Sequence, residues 1–307
     1  MNIKKPRFWD LKHPNIYAYL LLPLSLSIRF FNIFKQRTAK KNRIKTICVG
    51  NFYIGGTGKT SLSIKLNQIL NKKKIKSCFI KKFYKNQKDE QKILEKNGRL
   101  FTNVIRTEAI KKAENENYEI AIFDDGLQDK SINYDISFVC FNTINWIGNG
   151  MTIPSGPLRE NIKNLKKYKN VFLNGNLEKL DYIKKEIYKI NSKINIHCGK
   201  YEPLNLNEFN KKNNYLIFSG IGNHKTFLNM LKNHGLNILK DLEFPDHYNY
   251  SKNDLKKIFD KAKNLNCEII TTEKDFFRLK DENKDQIRYV KSELKIIDEE
   301  KLIKSIL

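Results

Sequence analysis

No Cys-x-x-Cys pair occurs in this sequence. Its five cysteines, Cys48, Cys78, Cys140, Cys198 and Cys267, stand apart, which argues against a zinc site. An odd number of scattered thiols fits buried, reduced cysteines in a chain that faces the cytosol. There is no internal repeat and no long low-complexity tract beyond a Lys/Asn bias. Zinc-finger and aromatic RNA-binding signatures are also missing, so nucleic acid is not expected as a partner. Acid is scarce: 33 Asp and Glu stand against 58 Lys and Arg, a formal net charge of +25. The surplus fits an anionic partner such as a membrane surface or a phosphorylated substrate. Compositional drift toward Lys, Asn and Ile is the competing cause.

What is present suits a globular protein of two domains, with 307 residues, 40% hydrophobic and 30% charged. That charged share argues against an integral membrane bundle. The first distinct segment is Ile16 to Phe34, IYAYLLLPLSLSIRFFNIF. Pro23, Ser25, Ser27, Arg29 and Asn32 interrupt it, which makes it marginal as a spanning helix. Lys35, Arg37, Lys40, Lys41, Arg43 and Lys45 follow. An apolar helix beside a basic run suits a segment lying in the headgroup region of an anionic membrane. A core helix is the alternative. A cleaved signal lacks its small-residue cleavage site.

From Lys45 onward, strand-like and helix-like stretches alternate. Strands are expected at Thr46–Asn51, Ser77–Ile80, Glu119–Asp124, Ile136–Asn142, Asn170–Asn174, Tyr215–Ser219 and Cys267–Thr272. This alternation predicts parallel sheets covered by helices. Residues Lys193–Leu206, with Gly199 and Pro203, read as a linker.

The most informative run is Cys48 to Thr60, CVGNFYIGGTGKT. A strand enters a glycine-rich turn and then a helix expected over Ser61–Leu70. Backbone amides of Gly55, Gly56, Thr57 and Gly58 can close around phosphate oxygens, Lys59 can reach the outer phosphates, and Thr60 can offer a hydroxyl to Mg²⁺. The usual eight-residue pattern has glycine where Tyr53 stands, so the loop is of the Gly-Gly-x-Gly-Lys-Thr form. A second run, Ile120 to Gln128, ends an apolar strand in Asp124 and Asp125, the usual metal-side partner of a P-loop.

Three further strings carry no general mechanism: Ile153-Pro154-Ser155-Gly156-Pro157-Leu158-Arg159-Glu160, Phe244-Pro245-Asp246-His247-Tyr248, and Thr271-Thr272-Glu273-Lys274-Asp275. Together with the P-loop, Asp124-Asp125-Gly126-x-Gln128 and Phe218-x-Gly220-Ile221-Gly222-Asn223, in this order over nearly the whole chain, they resemble the tetraacyldisaccharide 4'-kinase family. The resemblance implies a two-domain α/β enzyme at the cytoplasmic face of the inner membrane. It implies ATP and Mg²⁺ as cofactors, and transfer of the γ-phosphoryl to the 4'-hydroxyl of a lipid A precursor.

Residue by residue, the resemblance makes Asp89 in Lys88-Asp89-Glu90-Gln91 the base, although the flanking Gly and Pro of the family string are absent. A solvated charge is the alternative for Asp89. His247 would support the base from the second domain, or be structural. Lys59 completes the catalytic set, and Thr60, Asp124 and Asp125 would hold the metal. Glu90 and Arg159 would meet the substrate, a structural salt bridge being equally open for Arg159. The family's Ser-Arg-Gly-Tyr string survives only loosely as Lys81-Lys82-Phe83-Tyr84, and Asp129 replaces its usual His.

The expected division is an N-terminal membrane-associating helix over 1–35, a P-loop domain over 36–195 and a smaller α/β domain over 196–307. The rival reading is a membrane-associated P-loop switch ATPase. Such proteins commonly carry a second Lys before the glycines, where this chain has Tyr53-Ile54.

Overall fold

A computed structural model describes residues 5–34, 42–84, 88–175, 180–279 and 282–307, with the side chains of 29, 31–34, 88–89 and 282–283 outside that description. The elements run α1 (Ile16–Leu20), α2 (Leu22–Phe34), β1 (Lys45–Asn51), α3 (Lys59–Lys72), β2 (Ser77–Lys82), α4 (Lys88–Asn97), β3 (Leu100–Asn103), α5 (Arg106–Asn115), β4 (Ile120–Asp124), β5 (Ile136–Asn142), β6 (Asn170–Asn174), α6 (Leu180–Ile190) and β7 (Asn195–Pro203). They continue with β8 (Asn214–Ser219), α7 (His224–Asn233), β9 (Asn237–Glu243), α8 (Lys252–Asn264), β10 (Glu268–Thr272), α9 (Glu273–Phe276), β11 (Ile287–Val290), β12 (Ser292–Ile296) and α10 (Glu299–Ile306).

The chain forms two compact units, Lys5–Gly199 with Ile296–Leu307, and Lys200–Lys295. An eight-stranded sheet has the order β12-β7-β6-β5-β1-β4-β2-β3. Its strands pair in parallel from β7 through β3. Strands covered on both faces read as continuous apolar runs. In β1 every residue after Lys45 is buried, and β4 is buried throughout. Helix α3 buries Leu62, Leu66, Ile69 and Leu70, a spacing that places them along one face. The expected linker at 193–206 is corrected: Asn195–Pro203 is strand β7. Gly199 is accommodated within it and Pro203 falls at its end, where a missing N–H does least harm.

The second unit contains a four-stranded parallel sheet ordered β11-β10-β8-β9. Side chains of β8 alternate between two clusters. Tyr215 and Ile217 pack with Phe227 and Leu231 of α7, while Leu216 and Phe218 pack with Leu255 and Ile258 of α8. Helix α8 opens with a capping box between Ser251 and Asp254, which satisfies two otherwise unpaired amides.

The N-terminal apolar segment is a pair of helices, with a break at Leu21. Ser25, 2% exposed, bonds to Ser155 Oγ at 2.8 Å and to the Thr152 carbonyl at 3.0 Å. Ile16, Tyr17, Leu20, Leu24, Leu26 and Phe30 are exposed. The segment thus docks along one line and leaves an apolar surface uncovered. The basic residues at 35, 37, 40 and 41 lie outside the described residues, and no helix among those described is long and apolar enough to cross a membrane.

Candidate active site

The P-loop links β1 to α3 at the centre of the sheet. Gly58 has φ 77°, a left-handed conformation that glycine adopts without steric cost. Side-chain amides brace the loop from beneath. Asn51 Nδ2 donates to the Tyr53 carbonyl at 2.5 Å and to Thr57 Oγ1 at 2.9 Å, and Asn174 Nδ2 donates to the Thr57 carbonyl at 2.5 Å. Tyr53, in the place of the usual glycine, is 2% exposed, and its hydroxyl bonds to Asp10 and accepts from Lys5. Its bulk therefore docks onto the N-terminal segment. The Ile153–Glu160 string lies against the start of the loop: the Ile54 amide donates to the Pro157 carbonyl at 2.9 Å, and the Arg159 amide to the Phe52 carbonyl at 2.6 Å.

Strand register assembles the acidic side of the site. Asp124 lies opposite Val49 of β1 on one side and Lys81 of β2 on the other. It is fully buried and accepts from Lys81 Nζ at 2.6 Å, Thr60 Oγ1 at 3.3 Å and Ser63 Oγ at 3.3 Å. Lys81 Nζ also reaches Glu90 Oε2 at 2.7 Å. Burial alone would favour neutral Lys81, but the carboxylates of Asp124 and Glu90 outweigh it and raise its pKa.

Asp125 sits at φ 59° and faces two cations, Arg159 Nη1 at 2.7 Å and Lys59 Nζ at 3.9 Å. Burial opposes its ionisation. Lys59 and then Arg159 overcome this and hold its pKa at about 2. Gln128 bonds to the Asn51 carbonyl at 3.1 Å and to Glu160 at 3.0 Å. Asp129, the replacement for His, pairs with the buried Arg106 at 3.0 Å, and Arg106 also donates to the Asp125 carbonyl at 2.6 Å.

Of the expected residues, Lys59, Thr60, Asp124, Asp125 and Arg159 converge here. Glu90 joins through Lys81. Asp89 lies in the first turn of α4, and its side chain is outside the described ones. Lys81 and Arg106 were not among the expected site residues. A lysine in a strand reads as solvated, and only the β2–β4 register places Lys81 beside Asp124.

In the second unit, three of the quoted strings meet at the C-terminal ends of adjacent parallel strands, where open α/β sheets place their ligands. Phe218–Asn223 runs out of the end of β8, Phe244–Tyr248 follows β9, and Thr271–Asp275 runs from β10 into α9. Buried Asp275 binds them together, accepting from Thr272 Oγ1 at 2.6 Å and from the Gly220 amide and the Tyr250 hydroxyl at 3.1 Å each. A Cβ on Gly220 would come within 3.0 Å of the Pro245 carbonyl, the Tyr248 Cβ and the Tyr250 hydroxyl. His247 sits at φ 58°, its amide donating to the Gly220 carbonyl at 3.1 Å.

A model of the family described as tetraacyldisaccharide-1-P 4'-kinase matches residues 17–307. The tetraacyldisaccharide 4'-kinase of Pelagibacter ubique (strain HTCC1062) is 60% identical over 303 residues, which are 98% of this chain and 96% of the relative. Its counterpart in Rickettsia canadensis (strain McKiel) is 36% identical over 301 residues, covering 91% and 89%. The crystal structure of "apo" form LpxK from Aquifex aeolicus in complex with ATP shares the fold, with a TM-score of 0.67 over 95% of this chain and 98% of that one at 23% identity. The switch-ATPase reading is set aside by these matches, which run through both units rather than the P-loop alone. The chain belongs to the tetraacyldisaccharide 4'-kinase family.

Proposed function

We propose that the P-loop centre carries out the family reaction, moving the γ-phosphoryl of ATP to the 4'-hydroxyl of tetraacyldisaccharide 1-phosphate in lipid A biosynthesis. The observation that carries this reading is the convergence of Lys59, Thr60 and Asp124 at the C-terminal ends of the neighbouring strands β1 and β4. The donor set there fits magnesium, a hard cation that takes a hydroxyl and one or two carboxylates and fills its remaining positions from water and phosphate. Among the described residues no group of three or more His, Cys, Asp or Glu could hold a metal. The chemistry supplied by bound Mg²⁺ and ATP is charge neutralisation and the phosphoryl group itself.

The chain's own part is positioning and electrostatic stabilisation. Lys59 holds the outer phosphates, and the amides of Gly55 to Thr60 cradle them. Asp125, ionised between two cations, keeps Lys59 and Arg159 at the site. Asp89 takes the proton of the acceptor hydroxyl, with His247 assisting it, while Glu90 and Arg159 meet the substrate. The exposed apolar residues of α1 and α2 engage the cytoplasmic face of the inner membrane, which holds the acylated substrate.

The test is incubation with ATP, Mg²⁺ and tetraacyldisaccharide 1-phosphate, followed by mass analysis. One added phosphate is expected, and its absence sinks the proposal. Asp89→Ala is expected to cost on the order of 10²–10⁴ in turnover. A near-normal rate there, with collapse in Glu90→Ala, moves the base by one residue.

A further inference from the structure

Arg278 lies three residues beyond the Thr271–Asp275 string, and its side chain is 11% exposed. Its Nη1 donates to the Gly220 carbonyl at 2.9 Å and to Asp275 Oδ1 at 3.2 Å. Its Nη2 lies 3.2 Å from His247 Nδ1. A guanidinium has five N–H donors, no acceptor, and stays charged in proteins. Contact with Nδ1 therefore needs the lone pair of that nitrogen. In a neutral imidazole the proton then sits on Nε2.

We propose that Arg278 is a positioning residue that fixes His247 as its Nε2–H tautomer. The guanidinium is itself anchored at the other end. Asp275 is fully buried and takes bonds from Thr272, Tyr250 and the Gly220 amide as well. The ring is anchored too, because the His247 amide is bonded to the Gly220 carbonyl, which also accepts from Arg278. One carbonyl thus sets the register between donor and ring. On the opposite edge of the imidazole, Asp246 Oδ1 lies 3.8 Å from Nε2 and accepts from the His247 amide at 3.0 Å. A donor beside Nδ1 and a carboxylate toward Nε2 favour the same tautomer.

The chemical consequence is that His247 offers an N–H at Nε2 and no lone pair there. Its part in the reaction, which rests on the reading given above, is therefore that of a hydrogen-bond donor through Nε2. It does not take the proton of the acceptor hydroxyl. The Thr271–Asp275 string gains a role through this arrangement, since Asp275 holds the arginine that orients the histidine.

The experiment is long-range proton–nitrogen spectroscopy on the full chain with ¹⁵N-labelled histidine. The signal of His247 is assigned by its loss in His247→Gln. In the wild type, Nε2 is expected to carry the proton-bearing shift and Nδ1 the bare one. Arg278→Met is expected to move His247 to a mixture of tautomers or to Nδ1–H, and Arg278→Lys, which keeps a donor, to move it less. A wild-type spectrum with the proton on Nδ1 overturns the assignment even if no variant folds. So does a His247 pattern that stays the same in folded Arg278→Met. Turnover at saturating ATP gives the second readout. Adding Arg278→Met to His247→Ala is expected to cost a further factor of about 1, because the two act as a unit. If the tautomer follows Arg278 while His247→Ala turns over normally, the positioning assignment stands and the role of His247 in the reaction falls.

Discussion

Replacing Lys81 by Met keeps the length of the side chain and removes its charge. Lys81 is 2% exposed, Asp124 is fully buried, and their atoms are 2.6 Å apart. Asp124 would then be left as a buried carboxylate whose remaining hydrogen bonds, among the described residues, come from the hydroxyls of Thr60 and Ser63. Breaking a buried pair from one side costs about 3–5 kcal/mol, because the remaining charge is uncompensated. Glu90 is 22% exposed, so water can replace its share, and the lower end, about 3 kcal/mol, is expected. Both tryptophans, Trp9 and Trp146, lie in the same unit as Lys81. Intrinsic fluorescence during urea unfolding therefore reports on the relevant unit, with stability obtained by linear extrapolation. Adding Asp124→Asn to Lys81→Met is expected to recover part of the loss, since the amide carries no charge. A loss below about 1 kcal/mol for Lys81→Met, the range of exposed pairs, would refute the account of Lys81 as a buried counter-ion. So would a double variant that is simply the sum of the two singles.

Further outcomes follow from the same geometry. Lys59→Ala is expected to abolish phosphoryl transfer and to lower the urea midpoint only modestly, by removing the cation 3.9 Å from Asp125 that does most to lower its pKa; turnover by the folded variant would remove the P-loop assignment. Asp125 has its pKa lowered from 3.8 to about 2, chiefly by Lys59 and then Arg159 against the effect of burial. Its contribution to stability is present above 3.8 and is lost as pH falls toward 2. Arg159→Met is expected to flatten that acid loss by about 1 kcal/mol, given that Asp125 is 24% exposed. An identical acid profile would reject the pairing. Leu20→Ser, Leu24→Ser and Leu26→Ser together alter only side chains that are 70%, 53% and 54% exposed. They are expected to reduce sedimentation with anionic liposomes without changing ATP binding, and equal partitioning would exclude this surface from membrane contact.

The P-loop was legible in the sequence because its chemistry is local. Consecutive glycines, a lysine and a threonine follow a strand that is apolar or small from Thr46 to Gly50. The buried strands were legible for the same reason, since β1, β4, β5 and β6 read as unbroken apolar runs. β7 was not, because His197, Gly199 and Lys200 break its run and exposure changes from residue to residue. β3 has only four residues, and β9 alternates between exposed and half-buried positions, as an edge strand does. The site was legible as far as its strings went. The placement of Lys81 beside Asp124 depends on strand register, and that of Arg278 beside His247 on a three-strand convergence. Neither follows from spacing along the chain.

The division of the chain has a consequence for its synthesis. Lys200–Lys295 is continuous, whereas the unit with the P-loop is interrupted and closes only with Ile296–Leu307. In that tail, Leu302 and Ile306 are fully buried, the Ile297 amide bonds to the Cys198 carbonyl at 2.9 Å, and Glu299 lies 3.7 Å from Lys65. A chain emerging from the ribosome presents the nucleotide-side residues first, yet their unit cannot bury its last apolar positions until residues 296–307 have emerged. The inserted unit can complete its own core earlier. A chain truncated after Lys295 would thus hold a complete insertion inside an incomplete host.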